Sequence, residues 1–325
     1  MQIVITDDRF GWNDEEEKAL AGLGASLVVA SWNSEDELIT ACSGADALLV
    51  NQARITGRVI QGLKKCRVIS RYGIGYDNVD IKAAEAKGIW VTNVRGYCTE
   101  EVAEHALGML LSCVRRIPVK DHAVRAGRWN IKAPIRRMSG RTLGIMGFGA
   151  TGRAFWEKVQ GFGFSRILID DHHGGALIAA SAGNGEACFA PFDELIRESD
   201  FISLHIPLRE ETRHIINRES IGRMKDGVIL INTSRGPVID EEALADALAS
   251  GKIGAAGLDV FEKEPLPESS ALLGLENVIL TDHSAYYSEE AVSVLKTMTA
   301  LNAREVLEGR TPKNPVNRPK LVSGI

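Results

Sequence analysis

The chain has no uninterrupted apolar run near the ~20 residues that a membrane-crossing helix requires, so no membrane association is expected. It has no excess of basic charge. Its 38 Lys and Arg face 43 Asp and Glu, and no basic run stands out, which argues against a non-specific nucleic-acid surface. It has little cysteine: Cys42, Cys66, Cys98, Cys113 and Cys188 are odd in number, scattered and never in a CxxC spacing. That excludes a disulfide framework, gives no metal site and points to a reducing compartment. The opening MQIVITDDRF lacks the basic stretch followed by an apolar run of a signal peptide, so a cytoplasmic location is expected. Low-complexity segments and short-period repeats are absent as well.

What is present is globular and large. With 45% hydrophobic and 25% charged residues, disorder is not expected. At 325 residues the chain exceeds the length at which single cores stop growing, so two domains are expected. The first hundred residues alternate between short apolar runs (QIVIT, SLVVAS, ALLVN, RVISRY, IWVTNV) and amphipathic segments, with Asn13 and Ser34 as N-cap candidates. Strands alternating with helices imply a parallel sheet covered on both faces. After the helical stretch TEEVAEHALGMLLSCVRRIPVKDHAVRAG, a second alternation runs through RTLGIMGFG, RILIDD, ACFAP, FISLHIP, VILINTS, GAAGLDVF and NVILTDH. HHGGALIAASAGNGEA reads as a loose connection. The last amphipathic segment, SEEAVSVLKTMTALNAREVLEGR, has no strand after it and is expected to return to the first domain. The fold class is therefore α/β with two doubly wound parallel-sheet domains. A Rossmann-like domain over 98–284 is inserted into a flavodoxin-like domain made of 1–97 and 285–325, and two such domains leave a cleft for a small substrate.

Gly147, Gly149 and Gly152 form G-x-G-x-x-G between a predicted strand and a predicted helix. The first glycine permits the turn, the second lets backbone amides approach a pyrophosphate, and the third allows close helix–strand packing. Asp170 ends the next strand 18 residues after Gly152, near the spacing of a ribose-binding acid, with Asp171 as the alternative. A carboxylate there bonds the ribose hydroxyls and repels a 2′-phosphate, which favours NAD over NADP. Further polar residues follow later strands: Arg235 in LINTSRGPVID, Asp259 and Glu264 in GLDVFEKEP, and His283 in LTDHSAYYSEE. Singly, a loop Arg, a Glu before Pro and a lone His usually have solvated or structural roles. Together they occupy the carboxyl ends of the strands of one nucleotide domain, where such sheets bind ligands.

Over nearly its whole length the sequence resembles the D-isomer-specific 2-hydroxyacid dehydrogenases, through RYGIGYDNVD, NVRGYCTEEVAEHALGMLL, GIMGFGATGRA, SDFISLHIPLREETRHIINRE, INTSRGPVID, GLDVFEKEP and HSAYYSEEA. GYCTEEVAEH and HSAYYSEE are most similar to the C-terminal-binding-protein branch. The resemblance implies hydride transfer between NAD(H) and a small D-2-hydroxy or 2-keto acid. It makes His283 the acid and base, Glu264 the carboxylate that orients it and favours its protonated form, and Arg235 the anchor for substrate carboxylate and carbonyl. It assigns the backbone amides of Ile74 and Gly75 to the substrate carboxylate, and Tyr286 to the substrate side, where animal members of the branch carry Trp. Ala150, Thr151, Ile206, Pro207, Thr212, Thr233 and Asp259 fall where the family contacts NAD; His205, beside them, reads as structural. Asp282 departs from the usual Pro and adds a negative charge beside His283. The resemblance also implies a homodimer, and EEVAEHALGMLLSCVRRI is apolar around more of its circumference than a solvated helix needs; burial between the two domains is the alternative. Two other functions stay open, an NADH-responsive corepressor-like binding protein and a formate- or phosphite-type dehydrogenase. Formate dehydrogenases have Gln where this chain has Glu264.

Overall fold

The computed structural model describes residues 1–171 and 186–319. Residues 172–185, most of the expected loose connection, lie outside the described residues. The chain divides into two compact units, Met1–Tyr97 with Ser288–Ile325, and Cys98–Tyr287. The second crossing falls after Tyr287, not at 284/285 as expected. The reason is local: Ala285 N–H donates to the Asp259 carboxylate and Tyr287 N–H to Ser284 C=O, so both residues stay with the second unit.

The first unit holds one parallel sheet of β1 (Gln2–Ile5), β2 (Ser26–Val29), β3 (Ala47–Val50), β4 (Val68–Arg71) and β5 (Trp90–Thr92), in the order β2-β1-β3-β4-β5. This is the flavodoxin-like order. Ala47, Leu48, Leu49 and Val50 of β3 are buried, as a central parallel strand covered on both faces must be. Ser34 caps helix Glu35–Cys42 by accepting from Glu37 N–H. Asn13 stands at the N-cap of Asp14–Leu20, but only its backbone carbonyl takes part, accepting from Glu17 N–H; the side chain makes no cap bond. The last helix, Glu289–Leu307, lies in this unit. Its Thr299 carbonyl accepts from Ser70 Oγ at 2.8 Å, and Asn302 Nδ2 donates to Asn93 C=O at 3.0 Å.

The second unit holds β6 (Thr142–Met146), β7 (Arg166–Asp170), β8 (Glu186–Phe189), β9 (Phe201–Leu204), β10 (Val228–Asn232), β11 (Ile253–Leu258) and β12 (Val278–Leu280). Their order is β12-β11-β10-β9-β6-β7-β8, all parallel, which is the Rossmann arrangement with one more strand. The order reverses between β6 and β9. The long helical stretch before β6 is two helices, Thr99–Arg115 and Ile117–Arg125, because Arg116 turns left-handed at φ 55° and Pro118 has no N–H to continue the ladder. The apolar stripe of the first of these (Ala103, Ala106, Met109, Leu110, Cys113, Val114) is buried within its own unit against the sheet. At Gly257 a Cβ would lie 2.9 Å from Met109 Cβ, so the helix sits as close to β11 as a glycine permits. Among the described residues, no helix is long and apolar enough to cross a membrane.

One polar cluster is built into the first unit. Lys296 is fully buried on the last helix, with Nζ 3.4 Å from Glu16 Oε2 and 3.5 Å from Glu15 Oε2, donating to Trp12 C=O and lying 4.4 Å from the Trp12 ring centre. Tyr72 Oη donates to the other Glu16 oxygen at 2.8 Å. Removing one member of a buried ion pair leaves the other without compensation. Lys296→Met is therefore expected to destabilise the first unit by about 3 kcal/mol, and Lys296→Met with Glu16→Gln by less, as read from urea unfolding midpoints.

Candidate active site

β6 delivers the glycine turn. Gly147 has φ 90° and donates its N–H to Asp170 C=O at 2.8 Å; a Cβ there would meet His205 C=O at 2.5 Å. At Gly152 a Cβ would lie 2.1 Å from Gly147 C=O, so helix Ala150–Val159 can approach the turn only with glycine in that place. Gly149 differs: its Cβ direction meets nothing within 4 Å. It occupies the N-cap of the same helix with no side chain to cap it, so the first-turn amides at Ala150, Thr151 and Gly152 face an open approach. Positive dipole, uncapped amides and bare backbone at the strand-order reversal suit a pyrophosphate. Asp170 is the last residue of β7 and is 8% exposed; Asp171, directly after it, is half-buried. A dinucleotide therefore fits this end of the sheet.

The turn after β9 is held by its own residues. Ile206 is buried and Pro207 exposed, while Thr212 Oγ1 donates to Pro207 C=O at 2.7 Å and accepts from Arg209 N–H at 2.8 Å. The hydroxyl proton of Thr212 is thus used to shape the turn. Thr233, after β10, is the opposite case: its Oγ1 is buried and has no hydrogen-bond partner among the described residues. A bound ligand with polar edges would satisfy it. His205 packs against Phe155, with ring centres 5.0 Å apart, and its Nε2 is 2.9 Å from Ser203 Oγ. Burial pushes this imidazole down to about 3, so it stays neutral, as the structural reading requires.

The ends of β10, β11 and β12 bring three side chains together. His283 Nδ1 lies 2.7 Å from Glu264 Oε2, and Glu264 Oε1 accepts from Phe261 N–H at 3.0 Å. Burial alone would push the Glu264 carboxyl up. The bond to His283, its charge, the Phe261 amide and the field of Arg235 outweigh that, and the group is held below its ordinary value. An ionised Glu264 only accepts, so Nδ1 carries a proton and Nε2 is the ring atom left to exchange one. Arg235 follows Ser234 at the start of a short 3₁₀ turn, its carbonyl fixed by Asn232 Nδ2 at 2.9 Å and its Nη1 donating to Ser234 C=O at 2.7 Å.

The backbone that carries His283 is unusual. His283 has φ 56°, a region that non-glycine residues seldom occupy. Asp259, 1% exposed at the end of β11, holds it there. Its carbonyl accepts from His283 N–H at 2.9 Å, and its carboxylate accepts from Thr281 Oγ1 at 2.5 Å and from Ser284 and Ala285 N–H at 2.9 Å each. Asp259 thus organises the histidine turn, a role not read from its place after a strand. Asp282 is exposed, where water screens its charge. Gly236 is a second residue not singled out in the sequence: a Cβ there would lie 1.9 Å from the Phe261 carbonyl group. That close crossing brings the Arg235 turn onto the loop carrying Glu264, and the signal for it was the glycine inside SRGPVID.

The remaining expected residues are Tyr286, whose ring meets Tyr287 edge-on at 6.4 Å in the second unit, and Ile74 and Gly75 in the first. Ile74 C=O accepts from Asn93 Nδ2 at 2.7 Å and its side chain is 44% exposed. Neither the Ile74 nor the Gly75 N–H has an acceptor among the described residues, which leaves two donors on the loop after β4.

Comparison with known proteins identifies the family. Residues 107–285 match the family model for the NAD binding domain of D-isomer specific 2-hydroxyacid dehydrogenases. The chain is 41% identical to a glyoxylate reductase of Korarchaeum cryptofilum over 287 residues, covering 87% of this chain and 85% of that one. It is 42% identical to a hydroxypyruvate reductase of Thermotoga maritima over 283 residues, covering 86% and 90%. A solved structure of D-lactate dehydrogenase from Aquifex aeolicus, complexed with NAD and lactic acid, superposes with a TM-score of 0.85 at 29% identity, covering 98% of this chain and all of that one. The chain belongs to the D-isomer specific 2-hydroxyacid dehydrogenase family and is an NAD-dependent oxidoreductase of that type.

Proposed function

We propose that this enzyme reduces a small 2-keto acid to the D-2-hydroxy acid, and oxidises it in reverse, with His283, Glu264 and Arg235 as its working groups. The observation that carries the reading is the 2.7 Å bond between His283 Nδ1 and an ionised Glu264. Bound NADH supplies the hydride. Gly147, Gly149, Ala150, Thr151, Gly152, Asp170, Ile206, Pro207, Thr212, Thr233 and Asp259 would hold or frame it. Arg235 presents a planar, permanently charged fork that anchors the carboxylate and polarises the carbonyl. By family resemblance, the Ile74 and Gly75 amides of the first unit are donors for a substrate carboxylate. His283 Nε2–H gives its proton to the carbonyl oxygen, and Glu264 stabilises the ring while it is charged. In the oxidative direction neutral Nε2 takes the hydroxyl proton. Tyr286 bounds the substrate side chain. The relatives named for glyoxylate and hydroxypyruvate reduction support a short side chain.

His283→Ala is expected to lower turnover about 100-fold or more with NADH affinity nearly unchanged, and Arg235→Ala to raise KM as well as lower kcat. Glu264 is held below its ordinary value, so its support for the ring is complete at neutral pH and is lost only as pH falls through that lowered value. In Glu264→Gln the ring loses this partner at every pH. Keto-acid reduction should then begin to fail at lower pH than in wild type, and hydroxy-acid oxidation should persist to lower pH. A pH–rate profile that does not move would separate Glu264 from His283.

The cofactor preference follows from Asp170. Asp170→Ala should weaken NADH and relieve the exclusion of NADPH, measured as the ratio of kcat/KM for the two cofactors. Equal loss in Asp171→Ala alone would move the role by one residue.

We also propose a cytoplasmic homodimer. The apolar stripe of Thr99–Arg115 is used inside its own unit. The segment after it exposes three large apolar side chains, Ile117 (51%), Val124 (52%) and Trp129 (77%), which suits a second copy. Sedimentation velocity should show a dimer at micromolar concentration and a shift toward the 35.3 kDa monomer in Trp129→Glu. A wild-type monomer alone at that concentration would reject the proposal.

A further inference from the structure

We propose that His105 is a positioning residue for the acid–base histidine, acting through Thr281 and Asp259. The inference rests on the reading of His283 as the acid and base.

His105 lies on helix Thr99–Arg115, and its Nε2 is 3.0 Å from Thr281 Oγ1. Thr281 has one hydroxyl proton, and at 2.5 Å that proton goes to the Asp259 carboxylate, which can only accept. The Thr281 oxygen therefore accepts from His105, and Nε2 of His105 must carry a proton. The polarity of the chain is thus settled: His105 Nε2–H to Thr281 Oγ1, Thr281 Oγ1–H to Asp259 Oδ1. The same Nε2 is 3.7 Å from Asp259 Oδ1, so a donor also faces the buried carboxylate directly.

The chain has a definite target. Asp259 grips residues 281–285 through Thr281, His283, Ser284 and Ala285, and His283 stays at φ 56° because that grip over-determines it. The helix under His105 is a rigid reference, since Met109 on the same face meets β11 at Gly257. His105 thus ties the turn to a part of the unit that is locked in place. Without it, the Thr281 hydroxyl loses the partner that orients it and can rotate away from Asp259. The shortest of the bonds holding the turn then goes with it. Supporting hydrogen bonds of this kind fix the orientation of a working group without touching the reactants.

The test uses steady-state kinetics of the full-length enzyme with NADH and a small 2-keto acid such as glyoxylate. Thr281→Val keeps the shape and removes the hydroxyl; His105→Leu removes the donor. Each is expected to lower kcat roughly 10- to 100-fold, with KM for the keto acid and NADH affinity changed by less than about 3-fold. Thr281→Ser and His105→Gln, which keep a hydroxyl and an N–H donor, should recover most of the loss. Because the two residues form one path, the double variant His105→Leu/Thr281→Val should be no slower than the worse single variant. Wild-type kcat in Thr281→Val, losses that multiply in the double variant, or no recovery in the conservative variants would each overturn the proposal. If His105→Leu does not fold, the Thr281 pair and His105→Gln decide it. His283→Ala is the control. Full activity there removes the reading of His283 and this proposal with it, whereas an inactive His283→Ala beside a fully active Thr281→Val removes this proposal alone.

Discussion

A carboxylate buried at a strand end must find its donors inside the protein, and Asp259 finds them in the turn that carries His283. Leaving such a group unmet costs several kcal/mol, so the turn is drawn around it. The histidine backbone is held in a conformation that it would not choose alone. The imidazole is thereby aimed at Glu264, and Glu264 is held by the Phe261 amide. Gly236, pressed against the Phe261 carbonyl, brings the Arg235 turn to the same place. Backbone contacts thus place all three side chains.

The electrostatics of the site follow from half burial. Glu264 and His283 are each about one-third exposed, dry enough for their attraction to matter and wet enough for proton exchange. His205, directly after β9, shows the contrast. Packed against Phe155, its imidazole is pushed down to about 3 by burial and stays neutral, and its contribution is to the packing of the glycine turn. Two histidines of one unit thus sit in contrasting environments, His283 paired with a carboxylate and His205 with an aromatic ring.

Much of this was legible from the order of residue types. Twelve short apolar runs marked the twelve strands among the described residues, because parallel strands inside a covered sheet are apolar on both faces. GFGATG announced the nucleotide turn because only glycine admits the backbone approaches measured at Gly147 and Gly152. Arg235, Glu264 and His283 were visible as polar residues after buried strands, and their pairing came from family resemblance. Other features were not visible. Asn13 has the residue type of a cap and does not cap, and the helical stretch before β6 divides at Arg116 because a left-handed residue leaves no periodic trace. Periodicity reports how many faces of a helix are apolar and says nothing of what covers them. The apolar surface of Thr99–Arg115 therefore left a second copy and burial within the chain both open, and the structure packs its stripe against its own sheet.

The sequence by itself determined the class of chemistry, the kind of cofactor and the nesting of one α/β unit inside another. The glycine turn and the strand–helix alternation depend on residue type at short spacing, which the chain carries without folding, and the class of chemistry came from the family resemblance. Only the tertiary structure decided how Asp259, Thr281 and Gly236 serve the site. Asp259 bonds residues 22 to 26 positions away at 2.5 to 2.9 Å, and Gly236 passes the Phe261 carbonyl where no side chain would fit, across strand ends that meet only when the sheet is assembled.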